Sequence, residues 1–464
     1  MVPRALTLAT LVAAVQLTGC SALRSYDSEL QETNQQLRAG NVDAALALLE
    51  KHNRGDDKDL LYYFEKGELL RSKGDFKGSQ DAWRSADGVV YNWEESVKLD
   101  TDKYLSQFGS YLVNDKVRRY EGYDYEKVML TTQMALNLLA DNDFDGARTE
   151  IKKTHEREAV IAELRDKEYL KRELEAEKEG VKTEYKELQG YPVASLDAPE
   201  VVSLKNSYQS AFSHYLSGYV YEALGEKGLA APGYRKAAEL RPNTPLLEHA
   251  LLELDKSKGK SGDSDVLIVV QSGLAPARDS VRIPLPLPIS GNVVITPLSF
   301  PVVKDDTSTV RFSEIYLNDK ALGLTTLNST SAMSRRALRD DMPGIILRTT
   351  VRAITRGVAQ KQLNDANPLA GLAVGIASAI VEGADTRTWR TLPDDTLVAR
   401  VRLAQGEHHL SLPSSMGGNQ IKVNIDRPYQ VVSLRVVGQQ VFAGGPSVHV
   451  APVQPPAQAI ATLE

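Results

Sequence analysis

One thiol, a row of arginines, a histidine pair and two pairs of adjacent carboxylates are the residues here whose types and spacing bear on chemistry. Cys20 is the only cysteine among 464 residues, so no intramolecular disulfide can form. Arg348, Arg352 and Arg356 repeat every four residues, which sets them on one face of a helix, and Arg335, Arg336 and Arg339 lie just upstream. A guanidinium row of this kind can meet phosphates, carboxylates or an acidic partner through paired N–H donors, and the alternative is a solvated helix face helped by Asp340 and Asp341 nearby. His408 and His409 are adjacent, and neighbours on a strand point to opposite faces, so they do not readily share one metal ion. Asp305-Asp306 and Asp394-Asp395 are predicted in turns, where charge is ordinary. The chain carries no glycine-rich phosphate loop, no nucleophile elbow and no HExxH helix. No catalytic residue, no metal ligand and no cofactor is therefore expected.

The surroundings of Cys20 say more than the thiol itself. Arg4 gives a positive start, and the apolar run Ala5 to Val15 is too short to span a bilayer. Leu17-Thr18-Gly19-Cys20 follows, with small residues that fit a peptidase cleft and the only nucleophile there able to accept a diacylglycerol. This stretch resembles the bacterial lipobox. The resemblance implies a signal peptide over 1–19, a mature chain from Cys20, and lipid-derived chains such as palmitate on that residue. Two or more such chains anchor a protein stably, where a single one holds it marginally. Ser21 stands where inner-membrane lipoproteins carry Asp, which implies delivery to the outer membrane. Lys and Arg total 55 against 61 for Asp and Glu, a mildly acidic balance that gives no basic footprint for nucleic acid.

Residues 20–255 are expected to form helical repeats. The clearest copy runs from Ala211 to Thr244, where Gly218, Tyr221, Gly225, Ala230, Tyr234, Ala237 and Pro242 stand at the offsets of a tetratricopeptide repeat. Gly218 and Ala230 let two antiparallel helices approach, Tyr221 and Tyr234 fill the space beside them, and Pro242 ends the second helix. A second copy begins at Leu60, with Gly67, Gly74, Trp83 and Ala86 in the same register. Weaker copies begin at Tyr26 and Val128, and the stretch from Glu94 to Lys127 reads as a degenerate one. Such repeats bury their apolar faces only against neighbours. Trp83, Tyr221 and Tyr234 are candidates for partner binding on the repeat surface, although the same positions serve core filling. A plain helical bundle is the alternative fold.

The charged stretch 152–189 interrupts the repeat phase. Val160, Leu174, Val181 and Leu188 share a heptad position, but Lys167 breaks the seam and Lys171 and Lys178 crowd it. An extended helix projecting as an arm is expected, broken at Gly190-Tyr191-Pro192, with a partner-binding coiled coil as the alternative.

Composition changes at a polar linker, 256–265, which introduces a β-rich, sandwich-like domain over 266–443. Val266 to Val270 reads as a buried strand, and Val281 to Pro288, with prolines at alternate positions, as an extended edge or wall. Further strands are expected at Val293 to Ile295, Ile315 to Leu317, Leu397 to Leu403, His408 to Leu412, Gln420 to Ile425 and Val431 to Phe442. A helical insertion occupies 334–382. It comprises Ser334 to Asp340, a second helix from Asp341 to about Leu363 that carries the arginine stripe, and a small-residue helix from Pro368 to Glu382 with Gly371 and Gly375. Residues 444–464 are expected to be disordered. The fold class is thus α+β and multidomain.

With its lipobox and repeats, the chain resembles proteobacterial outer-membrane lipoproteins that carry tetratricopeptide repeats. Weaker patterns at Met342-Pro343-Gly344 and Asp385-Thr386-Arg387-Thr388-Trp389 extend the resemblance past the repeats. It implies a lipid-anchored protein of the outer membrane facing the periplasm, without enzymatic activity. Such a protein would act as a scaffold or adaptor for protein partners in an envelope assembly, export or peptidoglycan-synthesis complex. The alternative is an envelope glycan-binding protein or enzyme that acts through the C-terminal domain.

Overall fold

A computed structural model describes residues 26–108, 119–256, 262–307, 309–366, 383–416 and 419–450. Cys20 and its leader, the helix expected over 368–382 with Gly371 and Gly375, and the residues after 450 lie outside the described residues. Among the described residues no helix is long and apolar enough to cross a membrane. The protein is α+β, with helices in the N-terminal half and sheets in the C-terminal part.

Helices α1 (Tyr26–Arg38) and α2 (Val42–His52), α3 (Leu60–Lys73) and α4 (Phe76–Leu99), α5 (Thr101–Phe108), then α6 (Asp124–Ala140) and α7 (Phe144–Glu179) open the chain. The short helices α8 (Val193–Leu196) and α9 (Pro199–Val202) precede α10 (Ala211–Ala223), α11 (Lys227–Leu240) and α12 (Pro245–Glu253). Four helix pairs share one kind of turn, with a left-handed residue at Gly40, Gly74, Asn142 or Gly225. That conformation closes the first helix and frees the chain to reverse. In two of them an aspartate then caps the second helix: Asp75 accepts from the Gly78 amide and Asp143 from the Gly146 amide, each at 2.8 Å.

The small residues do what their spacing predicts. A methyl group on Gly67 would sit 2.1 Å from the Trp83 ring nitrogen, and one on Gly218 would sit 2.5 Å from the Tyr234 ring. Each glycine therefore makes room for a large ring of its partner helix.

Two five-stranded sheets follow. The first has the order β11 (Gln440–Ala443), β10 (Tyr429–Val437), β1 (Asp263–Ser272), β7 (Asp395–Ala404), β6 (Thr325–Ser329). The second runs β12 (Val448–Val450), β9 (Gln420–Ile425), β8 (Gly406–Ser411), β4 (Glu314–Leu317), β5 (Lys320–Gly323). Strand β1 is buried on both faces. Val266, Ile268 and Val270 join the core shared with the second sheet, while Leu267 and Val269 pack against Phe212, Tyr215 and Tyr219 of the helices.

Strands β2 (Ala277–Ile289) and β3 (Asn292–Lys304) form a separate two-stranded ribbon. Pro284 faces Pro297 there, tolerated because both strands are edges. One side of the ribbon packs Ile283, Leu287, Leu298 and Phe300 onto the long helix α13 (Thr330–Ala366).

Several expectations need correcting. The insertion begins with one helix, α13, rather than two, and Pro343 lies inside it. A proline cannot donate to the carbonyl four residues back; beside that gap, Arg172 donates to the Asp340 carbonyl at 3.2 Å. The charged helix ends at Gly180 (φ 63°) instead of near Gly190, and it does not project freely. Arg165 on α7 pairs with Asp341 of α13 at 2.7 Å, and Tyr185 and Tyr191 after it join the core of the ribbon. Strand β1 starts at Asp263, inside the expected linker, and β12 lies inside the expected tail.

The helices and sheets are also not separate bodies on a tether. Glu68 and Arg435 form a fully buried pair at 2.7 Å. Arg71 reaches Gln271 at 2.7 Å and Ser433 at 3.0 Å, and Arg400 joins Glu222 to Asp265, each at 2.7 Å.

Candidate functional site

Where α6, α7, the ribbon and α13 meet, they enclose a cavity of about 490 Å³. The segment from Arg119 to Tyr123 forms one wall and the segment from Gly383 to Arg387 another. Trp93, Leu105, Leu164 and Ile345 supply an apolar side. The rest is charged: among the described residues, eight cationic side chains line it against five acidic ones. Gly344 of α13 lets two of the lining arginines approach it, since a methyl group there would lie 2.8 Å from the Arg172 side chain and 3.1 Å from Arg348.

The acids are committed. Asp124 accepts from Lys127 at 3.1 Å and from Arg165 at 2.6 Å, and burial alone would raise its pKa, yet these two cations hold it below the ordinary value. Glu168 and Asp341 pair with the same Arg165 at 2.9 and 2.7 Å. Asp385 pairs with Arg387 at 2.7 Å, and Glu121 accepts from the Tyr104 hydroxyl at 2.6 Å. Burial pushes the phenols of Tyr104, Tyr120 and Tyr123 well above their usual pKa, so they stay protonated, and Tyr104 and Tyr120 donate to Glu121 and Glu126.

Arg278 is different. Its side chain comes from β2, is 2% exposed, and lies with its guanidinium carbon 3.6 Å from the centre of the Tyr123 ring. One nitrogen donates to the Ser334 carbonyl at 3.3 Å. Among the described residues no carboxylate pairs with it, nor with Arg348 or Arg172. The Nε atoms of all three are buried and have no hydrogen-bond partner.

Behind the cavity the chain continues as a strap, from Asp385 to Asp394, laid across the helices. Trp389 is fully buried, stacked on Phe64 with ring centres 4.4 Å apart and edge-on to Trp83 at 6.0 Å. Glu126 accepts from the Trp389 amide at 2.7 Å and the Thr388 hydroxyl at 2.9 Å. Glu65 accepts from the Arg390 amide at 2.7 Å and the Thr391 amide at 3.0 Å. Burial lifts the Glu65 carboxyl to about 7 despite these bonds, and lifts Glu126 as well.

The sequence-predicted residues divide accordingly. Arg348 and Arg352 line the cavity, whereas Arg356, one turn further, does not. Arg335 is taken up by Glu200 and Asp305, Arg336 by Asp340, and Arg339 by Tyr185 and Asp197. Trp83, Tyr221 and Tyr234 are all core residues, and Tyr234 donates to Glu222, so they present no face to a partner. Filling the space beside a glycine took precedence over exposure. His408 is held by Asn318 and the Ala404 carbonyl, and no group of His, Cys, Asp or Glu among the described residues is placed to hold a metal. Asp305 sits against Arg335 and Asp394 caps α13 through the Ser331 amide at 2.9 Å.

Residue spacing does not single out Arg278, Arg165, Arg172 or Tyr123. Their signal was present in the run Tyr120-Glu121-Gly122-Tyr123-Asp124-Tyr125, too aromatic for an exposed connection. Both weak motifs, Met342-Pro343-Gly344 and Asp385 to Trp389, flank this one cavity. No family model matches this chain, and no curated protein matches it.

Proposed function

We propose that the protein is a non-enzymatic binding protein of the cell envelope, anchored through lipid on Cys20 to the outer membrane and facing the periplasm. It acts there as a scaffold or adaptor for partners in an assembly, export or peptidoglycan-synthesis complex. In this reading the helix pairs form a tetratricopeptide-like array, and the cavity is where a partner's or ligand's anionic group is received. The observation that carries the proposal is the cavity lining: among the described residues the buried Arg278 and the half-buried Arg172 and Arg348 have no carboxylate partner, beside acids already engaged. Such a lining suits recognition of an anion more than proton transfer, since among the described residues each of its carboxylates is already engaged.

The array's own face is less suited to receive a partner than the cavity is. The strap already occupies it, with backbone amides bound by Glu65 and Glu126, so an external peptide would have to displace Trp389 first. Crosslinking and capture of the lipidated protein from native membranes tests the proposal, with Cys20→Ala and Arg348→Glu alongside. A defined envelope component should be recovered, reduced by Cys20→Ala and lost with Arg348→Glu. Equal recovery with all three proteins would contradict it.

A further inference from the structure

Building on the reading of the cavity as a binding site, we propose that its ligand is a phosphate-bearing amphiphile, with the phosphate held by Arg278, Arg348 and Arg172. A buried cation without a counter-charge is costly, and a buried guanidinium normally has a carboxylate beside it. Arg278 is 2% exposed and has none among the described residues. Its Nε, with those of Arg172 and Arg348, is a buried donor with nothing to donate to. All three side chains line the same space. Three such donors on one space suit a single anion.

Charge and geometry favour phosphate over a carboxylate. A carboxylate brings one negative charge and two acceptor oxygens. A phosphomonoester or diphosphate brings about two charges and at least three oxygens, enough for three planar guanidinium forks. The described lining carries three more cationic than acidic residues, which suits a dianion better than a monoanion. The remaining wall of Trp93, Leu105, Leu164 and Ile345 is apolar, and about 490 Å³ is far more than a phosphate fills. The phosphate therefore comes attached to an apolar or ring-bearing body. A lipid headgroup and a soluble phosphorylated compound share this chemistry.

Titration calorimetry on the full chain tests the proposal with four probes: pyrophosphate, dihexanoyl phosphatidic acid, dihexanoyl phosphatidylcholine and glutarate. Pyrophosphate or the phosphatidic acid should bind, and Arg348→Gln should weaken that binding about tenfold or more. Arg278→Met should do the same, and the half-buried Arg348 keeps the test valid if that variant folds poorly. Binding of the phosphatidic acid much tighter than pyrophosphate assigns a lipid source, and the reverse order a soluble one. If glutarate binds while both phosphates fail, the phosphate assignment is wrong and the cavity remains a binding site. If no probe binds, or if binding ignores both arginines, the proposal is overturned, and in that case the cavity reading falls with it.

Discussion

Glu65 holds the backbone of Arg390: its carboxylate accepts the Arg390 amide at 2.7 Å, across most of the chain's length, and the next amide, Thr391, at 3.0 Å. Two buried N–H groups of an irregular segment thus find their acceptor on a helix, which is what allows the strap to lie in the core at all. Replacing Glu65 with Ala orphans both donors and should destabilise the protein by about 2–4 kcal/mol, read by urea denaturation. A change under about 0.5 kcal/mol would mean that the strap is held by Trp389 alone.

The same carboxylate predicts a pH dependence. The Glu65 pKa is lifted by burial from 4.5 to about 7, so between those values the folded chain keeps a proton that the unfolded chain has released. Stability from this group therefore falls as pH rises from 4.5 to 7 and is level above that. Burial of Asp394, lifted to about 6, acts in the same direction over a narrower window. In Glu65→Gln the part of the slope due to this group should vanish, so the variant gains on the wild type by on the order of 3 kcal/mol across the window. Parallel stability curves for the two proteins would contradict this.

Glycine substitutions should split by sign. Gly67→Ala drives a methyl group to within 2.1 Å of the Trp83 ring and should cost about 2–3 kcal/mol or more. Gly88→Ala, in the same pair of helices, meets nothing within 4 Å and should stabilise by about 0.5–1 kcal/mol through helix propensity. Thermal unfolding of both variants reads the contrast directly.

The joint between helices and sheets is testable at Glu68 and Arg435. Arg435→Met leaves a buried carboxylate unpaired and should cost about 3–5 kcal/mol. Adding Glu68→Met should restore part of that loss, because the pair of methionines leaves no unpaired charge. A double variant as unstable as the sum of the two singles would show that the pair is not coupled.

Much of this architecture was legible in the residues. Gly67 and Gly218 announced two close helix crossings, and the alternate prolines at 284, 286 and 288 announced an edge. The strand from Val266 was plain from its β-branching. What was not legible depended on distant partners. Spacing places Arg348 and Arg352 on a helix face, but only the docking of α13 on α7 and the ribbon turns that face inward. Arg278 sits in a strand among prolines and reads as a solvated edge residue until Tyr123 is brought beneath it. The aromatic candidates failed for the opposite reason: Trp83 and Tyr234 complement glycines so closely that they are consumed by the core.

The account rests on the cavity being the receiving site, and crosslinking from its wall tests that most directly. A photoreactive phenylalanine analogue would replace Ile345, which lines the cavity, and in a second protein Leu174, an exposed residue of α7. Both proteins are irradiated in native membranes. The account predicts a discrete adduct from position 345 that Arg348→Gln weakens, and none of the same mass from position 174. Adducts from position 174 alone would place recognition on the outer helix surface and contradict it.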